Sequence, residues 1–198
     1  LLMGTINTDL ANTLGNLVSR TTAMNQKYFG GQLQGAGEET ELDKELSALA
    51  AQGEPFNFTM LTCDTHFPDG YHCQVCRDEY PEQYPTVARC SSRMVYDFIR
   101  WIQQQPFYEN TTVVITGDHL SMDNGYFQRN VDPGYQRMVY NCILNSAIDA
   151  DNTKNREYCA VDLFPTTLAA LGCTIEGDRL GLGVNLFSKL PTLSELWG

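Results

Sequence analysis

The chain has 198 residues, of which 42% are hydrophobic and 19% are charged, a balance typical of a globular protein rather than a disordered one. Its formal net charge of −11 argues against a nucleic-acid-binding function, because surfaces that bind nucleic acid are basic. A phosphorylated substrate is not excluded, since a bound metal ion can supply positive charge locally. No stretch of the sequence approaches the roughly 18 apolar residues that a membrane span requires.

The opening residues predict an N-terminal helical and linker segment over residues 1–53. Weak helical spacing over residues 10–18 is followed by glycine-rich sequence at residues 30–37. A stronger helix is predicted over Glu41–Gln52, with Thr40 as its N-cap and Gly53 as its C-terminal stop. The chain opens without a signal peptide, on residues that resemble the interior of a longer sequence. We therefore expect a fragment or a processed product.

Two predicted strands each end close to an aspartate and a histidine. Phe56–Cys63 is mostly apolar and is followed by Asp64-Thr65-His66. Residues 112–116 are rich in β-branched side chains and are followed by Gly117-Asp118-His119, which predicts a buried parallel strand. In open α/β sheets, functional residues gather at the carboxyl ends of the strands. This pattern predicts a shared site, whereas a single histidine in such a position is more often an ordinary surface-loop residue.

The remaining elements predict an α/β fold with a mainly parallel sheet flanked by helices. Residues 86–105 form an amphipathic helix between the two strands, so the first strand, this helix and the second strand form a right-handed parallel crossover. Residues 135–144 are predicted as a third strand, antiparallel at an edge near the C-terminus. A short helix is predicted over Leu163–Leu171, with Asp162 as its cap and Gly172 as its end. Residues 181–187 are predicted as a glycine-spaced loop.

Asp118 and His119 are candidate ligands of a divalent metal. A carboxylate oxygen and an imidazole nitrogen together suit Zn²⁺ or Mn²⁺, with Mg²⁺ as an alternative. Arg129 is a candidate partner for an anionic substrate, although exposed arginines commonly have no such role. No nucleophile is evident near the pair, because the sequence has neither a Gly-x-Ser-x-Gly elbow nor a phosphate-binding P-loop.

Seven cysteines, an odd number, leave at least one thiol without an intrachain partner. Cys73 and Cys76 have CxxC spacing, which is compatible with a zinc knuckle, a redox motif or a disulfide. Because there is no second CxxC, a zinc site of four cysteines, or of two cysteines and two histidines, is disfavoured. We predict an extracellular disulfide, with Cys76–Cys90 as the candidate pair.

Four segments follow one another in the order of a known family's motifs. They are Leu-Thr-Cys-Asp-Thr-His-Phe-Pro-Asp-Gly at 61–70, Thr-Gly-Asp-His-Leu-Ser-Met at 116–122, Asp-Leu-Phe-Pro-Thr at 162–166 and Gly-Asp-Arg-Leu-Gly-Leu-Gly at 177–183. They resemble the sulfatase-type domain of the phosphoglycerol transferases, a group that includes lipoteichoic acid synthase within the alkaline phosphatase superfamily. The resemblance covers residues 54–198, which would form the C-terminal part of a sulfatase-like catalytic domain.

The resemblance implies metal-dependent transfer of phosphoglycerol from phosphatidylglycerol to a glycan or polyglycerolphosphate acceptor, through a covalent threonine intermediate. By the same resemblance, Asp118 and His119 bind the metal and His66 contacts the phosphate or the leaving group. Thr13 has a faint likeness to the family's nucleophile, but the acidic metal ligand that normally precedes it has no counterpart here. The chain is therefore expected to lack the nucleophile half of the site.

Such an enzyme acts at the extracytoplasmic face of the cell membrane, so the resemblance implies a membrane anchor outside this chain, or secretion after processing. The implied partners are a phospholipid head group and a glycan or teichoic acid acceptor. Two alternatives remain open. One is a sulfatase or phosphodiesterase that hydrolyses its substrate, and the other is a non-catalytic remnant that binds a glycan or a protein.

Overall fold

The structure, a computed structural model, describes residues 41–149 and 156–198 of the chain. The helices in these ranges are α1 (Glu41–Ala51), α2 (Gln83–Ile102), α3 (Asn124–Asn130), α4 (Leu163–Ala170) and α5 (Leu193–Trp197). The strands are β1 (Val113–Thr116), β2 (Asn141–Leu144), β3 (Arg179–Leu180) and β4 (Gly183–Val184). The helix predicted over residues 10–18, the cap Thr40 and the candidate nucleophile Thr13 lie outside the described residues. Within the described ranges, no helix is both long enough and apolar enough to cross a membrane.

The chain divides into two compact units. Among the described residues, the first comprises residues 41–104 and Ser121–Gly134, and the second comprises Gln105–Leu120, residues 135–149 and residues 156–198. Each unit is described by itself below. The predicted boundary at residue 53 stays a prediction.

Helix α1 confirms the helix predicted over Glu41–Gln52 to within one residue. Leu42 and Leu46 are buried, which places the apolar face of the helix in the core of the first unit. Gly53 has a φ of 70°, a left-handed conformation that glycine adopts readily and that commonly ends helices. Local spacing and a stop residue were therefore sufficient to locate this helix.

Helix α2 confirms the long amphipathic helix, although it begins and ends three residues earlier than predicted. Pro85 lies in its first turn, where the missing amide hydrogen costs no helical hydrogen bond. On the apolar face of this helix, Val87, Cys90 and Ile102 are buried. The helix ends before Pro106, which starts a 3₁₀ turn over Pro106–Asn110.

The strand predicted over Phe56–Cys63 is wrong, because these residues form no regular secondary structure. An apolar segment becomes a strand only when a neighbouring strand accepts and donates its ladder hydrogen bonds. In the described ranges, the ladders join β1 to β2 and β3 to β4. The predicted parallel crossover from this segment to β1 is therefore not formed among the described residues.

Strand β1 confirms the strand predicted before Gly117, but its only described neighbour is the antiparallel strand β2. Val113 lies opposite Leu144 and Thr116 lies opposite Asn141. An antiparallel strand is confirmed within the predicted range 135–144, although only Asn141–Leu144 of that range is a strand. Residues 113–115 are half-buried and Thr116 is exposed, so β1 is not the fully buried strand that its β-branched run predicted.

Helix α4 and the β3–β4 hairpin complete the second unit. The predicted helix is confirmed to within one residue, and Gly172 follows it with a φ of 83°. The cap role predicted for Asp162 is corrected, since its side chain forms no capping hydrogen bond to α4. Its carboxylate is instead fully buried and accepts hydrogen bonds from the backbone nitrogens of Val184 (2.7 Å) and Cys159 (2.9 Å). The predicted loop at 181–187 is partly ordered as β4 of the hairpin.

Candidate metal and phosphate site

Asp118 and His119 lie directly beyond the end of β1. The nitrogen of Gly117 donates a hydrogen bond to the oxygen of Tyr140 at 2.9 Å, so backbone pairing extends one residue past the strand. Asp118 and His119 follow this last paired residue, and their side chains are 70% and 55% exposed. These side chains are therefore accessible to a ligand, while the backbone that carries them is fixed by the β1–β2 pairing.

The two side chains already hold possible ligand atoms close together. The backbone nitrogen of His119 donates to Asp118 Oδ1 at 2.9 Å, which fixes the orientation of the carboxylate. The second oxygen, Oδ2, lies 3.5 Å from His119 Nε2. Ions such as Zn²⁺ bind nitrogen and oxygen at about 2.0–2.2 Å, so both atoms can reach one ion after a small adjustment.

The tautomer of His119 follows from its other hydrogen bond. Its Nδ1 lies 2.8 Å from the carbonyl oxygen of Leu120, and because a carbonyl only accepts, Nδ1 carries the proton. The Nε2 atom of the neutral ring therefore has the free lone pair that a metal requires. Histidines that bind metals usually donate their other N–H in this way. The donor atoms thus fit a divalent metal.

His66 lies in the first unit, in a tight loop between residue 63 and α2. Its backbone nitrogen donates to the oxygen of Cys63 (3.1 Å), and its own oxygen accepts from the nitrogen of Gly70 (3.1 Å). Its Nδ1 donates to the carbonyl of Phe67 at 2.7 Å. The ring is exposed, and its Nε2 has the same free lone pair as that of His119. His66 is thus available to a substrate, although the predicted strand before it is absent.

The His66 loop is fixed against α2 through Gly70. A Cβ atom at this position would lie 2.6 Å from the oxygen of Asp64 and 2.8 Å from Cγ1 of Val87, so only glycine fits. The side chain of Gln83 donates to the oxygen of Gly70 at 2.9 Å. Burial raises the pKa of Asp64, although a backbone hydrogen bond opposes this shift. The conformation around His66 is therefore set by close packing against a helix.

Arg129, the candidate anion-binding residue, is paired within the first unit. It lies in α3, and its Nη2 donates to Glu82 Oε2 at 3.1 Å. Asn130 donates to the other oxygen of the same carboxylate at 2.9 Å. To bind a substrate, Arg129 would have to exchange this partner for an anionic group. Glu82 was not identified from the sequence, because nothing in the chain pattern links residues 47 positions apart.

The cysteines predicted to form a disulfide are free thiols in this structure. Cys76 and Cys90 are not bonded to each other, and Cys73 lies near both of them, with Sγ–Sγ distances of 3.4 Å to Cys76 and 3.8 Å to Cys90. The sequence shows the CxxC spacing and predicts a Cys76–Cys90 pair, but it does not show that Cys73, Cys76 and Cys90 form a group of three. The sequence did contain one indication of this group, because Cys90 lies on the apolar face of the amphipathic helix and is therefore expected to be buried.

Comparison with known proteins identifies the family. The sulfatase family model matches residues 11–173, which include both histidine motifs and the Asp118–His119 pair. The chain belongs to the sulfatase family, which lies in the alkaline phosphatase superfamily and typically depends on a divalent metal. Membership implies an alkaline phosphatase-like α/β fold.

Curated relatives carry a more specific name. The chain is 34% identical over 170 residues to phosphoglycerol transferase I of Salmonella choleraesuis, an alignment that covers 81% of this chain and 21% of that protein. It is 34% identical over 96 residues to phosphoglycerol transferase I of Citrobacter koseri, covering 44% of this chain and 13% of the relative. The chain thus spans about a fifth or less of the length of these relatives. No solved structure matches it.

Proposed function

We propose that this chain is part of a metal-dependent phosphoglycerol transferase and supplies the second half of its metal site. The observation that carries the proposal is the Asp118–His119 pair, whose Oδ2 and Nε2 atoms lie 3.5 Å apart in a chain of the sulfatase family. Its relatives are named phosphoglycerol transferase I, and this name supports phosphoglycerol transfer as the reaction.

In the proposed site, the Asp118 carboxylate and the Nε2 lone pair of His119 hold the ion, which is Mn²⁺ or Zn²⁺. When bound, such an ion lowers the pKa of a coordinated hydroxyl and neutralises charge on phosphoryl oxygens. The Leu120 carbonyl keeps His119 in the tautomer that binds. The hydrogen bond from the His119 backbone nitrogen to Asp118 Oδ1 keeps the Asp118 carboxylate oriented towards the same ion.

His66 is proposed to contact the phosphate and the leaving oxygen. Because Nδ1 already donates to the Phe67 carbonyl, Nε2 faces the substrate. In the protonated ring, Nε2 donates a hydrogen bond to a phosphoryl oxygen and can pass its proton to the leaving oxygen. Arg129 is proposed as a further phosphate contact, reached by exchanging Glu82 for the substrate.

The remaining parts of the enzyme are proposed from the family. The nucleophile is a threonine, for which Thr13 is the candidate in this chain, and the first acidic metal ligand lies outside the motifs found here. We propose phosphatidylglycerol as donor, a glycan or teichoic acid as acceptor, and the extracytoplasmic face of the membrane as the location.

The test is Asp118→Ala in the intact enzyme that contains this chain. We expect loss of bound Mn²⁺, measured by elemental analysis, together with loss of phosphoglycerol transfer. His66→Ala should retain the ion and lose transfer, because His66 acts on the phosphate alone. Asp149→Ala, which removes an exposed carboxylate outside the site, is the control. Unchanged Mn²⁺ occupancy in Asp118→Ala would refute the proposed metal site.

An acceptor titration separates transfer from hydrolysis, the alternative favoured by the family name itself. A transferase releases diacylglycerol in proportion to the acceptor hydroxyl supplied, whereas a hydrolase releases it with water alone. Calorimetry of the 198-residue chain with Mn²⁺ tests the remnant alternative. A folded chain without measurable binding, combined with an intact enzyme that needs neither Asp118 nor His119, would favour a non-catalytic domain.

A further inference from the structure

Three cysteine thiols of the first unit converge at one point. Cys73 and Cys76 lie at the two ends of a turn closed by a hydrogen bond from the Cys76 nitrogen to the Cys73 oxygen (3.1 Å). Cys90 reaches the same point from the buried face of α2. The three Sγ atoms all lie within 4.8 Å of one another. A CxxC turn and a helix residue 14 positions later thus form one cluster.

The spacing of the sulfur atoms matches that of thiolates bound to one metal ion. The Sγ of Cys73 lies 3.4 Å from that of Cys76 and 3.8 Å from that of Cys90. Tetrahedral zinc with Zn–S bonds of about 2.3 Å separates its sulfur ligands by about 3.8 Å. Little rearrangement would therefore be needed to place an ion among the three.

The surroundings of the cluster also suit a metal. Cys73 and Cys90 are only 4% and 3% exposed, while Cys76 is half-buried, so the site is enclosed with one side towards solvent. Arg93 donates to Cys90 Sγ at 3.6 Å and to the carbonyl of Val75 at 3.0 Å. Three thiolates and a divalent ion together carry one negative charge, which this guanidinium partly offsets.

Burial disfavours the charged thiolate form at two of the three cysteines, Cys76 and Cys90. Burial, reinforced by hydrogen bonds with Cys90 and Cys73, raises the pKa of the Cys76 thiol to about 12. Burial likewise raises the pKa of Cys90.

We propose that Cys73, Cys76 and Cys90 bind a thiophilic divalent ion of the zinc class, which fastens the CxxC turn to α2. Three S–H bonds break, three sulfur–metal bonds form, and three protons are released to solvent. Water occupies the fourth position on the side of Cys76. This site shares no residue with Asp118 and His119, and it does not depend on the proposed transferase function.

The competing state is the Cys76–Cys90 disulfide predicted from the sequence. This disulfide joins the same two segments, but its formation is a two-electron oxidation of Cys76 and Cys90 and leaves Cys73 as a buried thiol. Metal binding instead leaves all three sulfur atoms reduced. The disulfide and the metal-bound cluster therefore differ in the number of reduced cysteines and in the absorption spectrum of the cobalt-loaded chain.

The test uses the 198-residue chain, purified under reducing conditions, stripped with a chelator and titrated with Co²⁺ and then Zn²⁺. We expect one Co²⁺ per chain with thiolate-to-cobalt charge-transfer absorption, which Zn²⁺ abolishes by displacement. Zn²⁺ should also raise Tm and protect three thiols from alkylation, as counted by mass spectrometry. The charge-transfer band identifies sulfur ligands, so it distinguishes this site from one built of Asp118 and His119.

Cys76→Ser is the main variant, because Cys76 is the least buried of the three. It should weaken Co²⁺ binding at least tenfold and reduce the absorption per bound ion by about a third. Cys173→Ser, which removes an exposed thiol of the second unit, is the control and should bind like the parent chain. Asp118→Ala should also retain the band. No charge-transfer band in the reduced parent chain, or a Cys76–Cys90 disulfide that persists in the purified protein, would overturn the proposal.

Discussion

At the scale of single residues, His66 and His119 form the same local hydrogen bond. Each donates a hydrogen bond from Nδ1 to the carbonyl of the next residue, at 2.7 Å and 2.8 Å respectively. This contact fixes the tautomer and leaves Nε2 free for a metal or a phosphate. The sequence predicted both histidines as site residues from their neighbours. It did not give their tautomers, which depend on backbone torsions at each ring.

Asp162 has a structural role that its family motif does not reveal. Its buried carboxylate accepts from the nitrogens of Cys159 and Val184, and so connects the start of α4 to β4. We expect Asp162→Ala to lower the free energy of unfolding by about 2–4 kcal/mol, because it leaves the buried backbone nitrogen of Val184 and the partly buried nitrogen of Cys159 without partners. Denaturant unfolding of the 198-residue chain measures this loss.

Asp162→Asn is the matched control for that prediction. Its single amide oxygen can satisfy one of the two backbone donors, so the expected loss is smaller than for alanine. Equal stability of the alanine variant and the parent chain would show that the carboxylate does not hold the hairpin.

At the scale of elements, the sequence predicted helices α1, α2 and α4 and strand β1, but it did not predict the short helices α3 and α5. Helices α1, α2 and α4 depend on hydrogen bonds within the segment and on apolar spacing, both of which are local. The segment 56–63 has an apolar pattern typical of a strand but no regular structure. A strand needs a partner that the segment's own residues do not specify.

The His66 loop offers a direct test of packing against α2. Gly70→Ala should destabilise the chain by about 2–4 kcal/mol, because its Cβ would meet the Asp64 oxygen at 2.6 Å and Val87 at 2.8 Å. Gly53→Ala is the matched control, since Gly53 has the same φ of 70° with nothing within 4 Å of its Cβ. It should cost only about 1 kcal/mol for the left-handed conformation.

Denaturant unfolding of both glycine variants measures the difference. If Gly70→Ala and Gly53→Ala cost the same, the close approach of the loop to α2 does not contribute to stability. If the intact protein carries out the proposed phosphoglycerol transfer, Gly70→Ala should also lower that activity by displacing His66, whereas Gly53→Ala should not.

At the scale of the whole molecule, Arg156 ties the C-terminal segment of the second unit together. Its guanidinium donates to the carbonyls of Leu186, Ser188 and Leu190 at 2.7–3.1 Å. It also forms a two-pronged ion pair with Glu195 at 2.6 and 2.8 Å. One side chain thereby satisfies three carbonyls and anchors α5, although the two ends of the ion pair lie 39 positions apart.

This ion pair makes the stability of the folded protein depend on pH. The hydrogen bonds from Arg156 hold the pKa of Glu195 at about 2, below its ordinary value of 4.5. A depressed pKa in the folded state stabilises the protein above the unfolded value, and this contribution is lost as the pH falls from about 4.5 towards 2. Glu195→Gln should therefore be less stable than the parent above pH 5, with the difference shrinking through that window.

Thermal unfolding of the two chains between pH 7 and pH 2 measures the effect. Lys189→Gln, which removes an exposed charge from the neighbouring loop, is the control, and its difference from the parent should not collapse over the same window. A Glu195→Gln difference that stays constant down to pH 2 would contradict the role of the pair.

The sequence by itself determined the family, the helices α1, α2 and α4 and the positions of Asp118, His119 and His66, because these follow from local spacing and from motifs of adjacent residues. Only the tertiary structure decided which distant groups meet. The antiparallel pairing of β1 with β2, the Glu82 partner of Arg129 and the position of Cys73 beside both Cys76 and Cys90 are contacts of this kind. Such contacts depend on how elements fold back on one another, and short-range patterns in the sequence do not specify them.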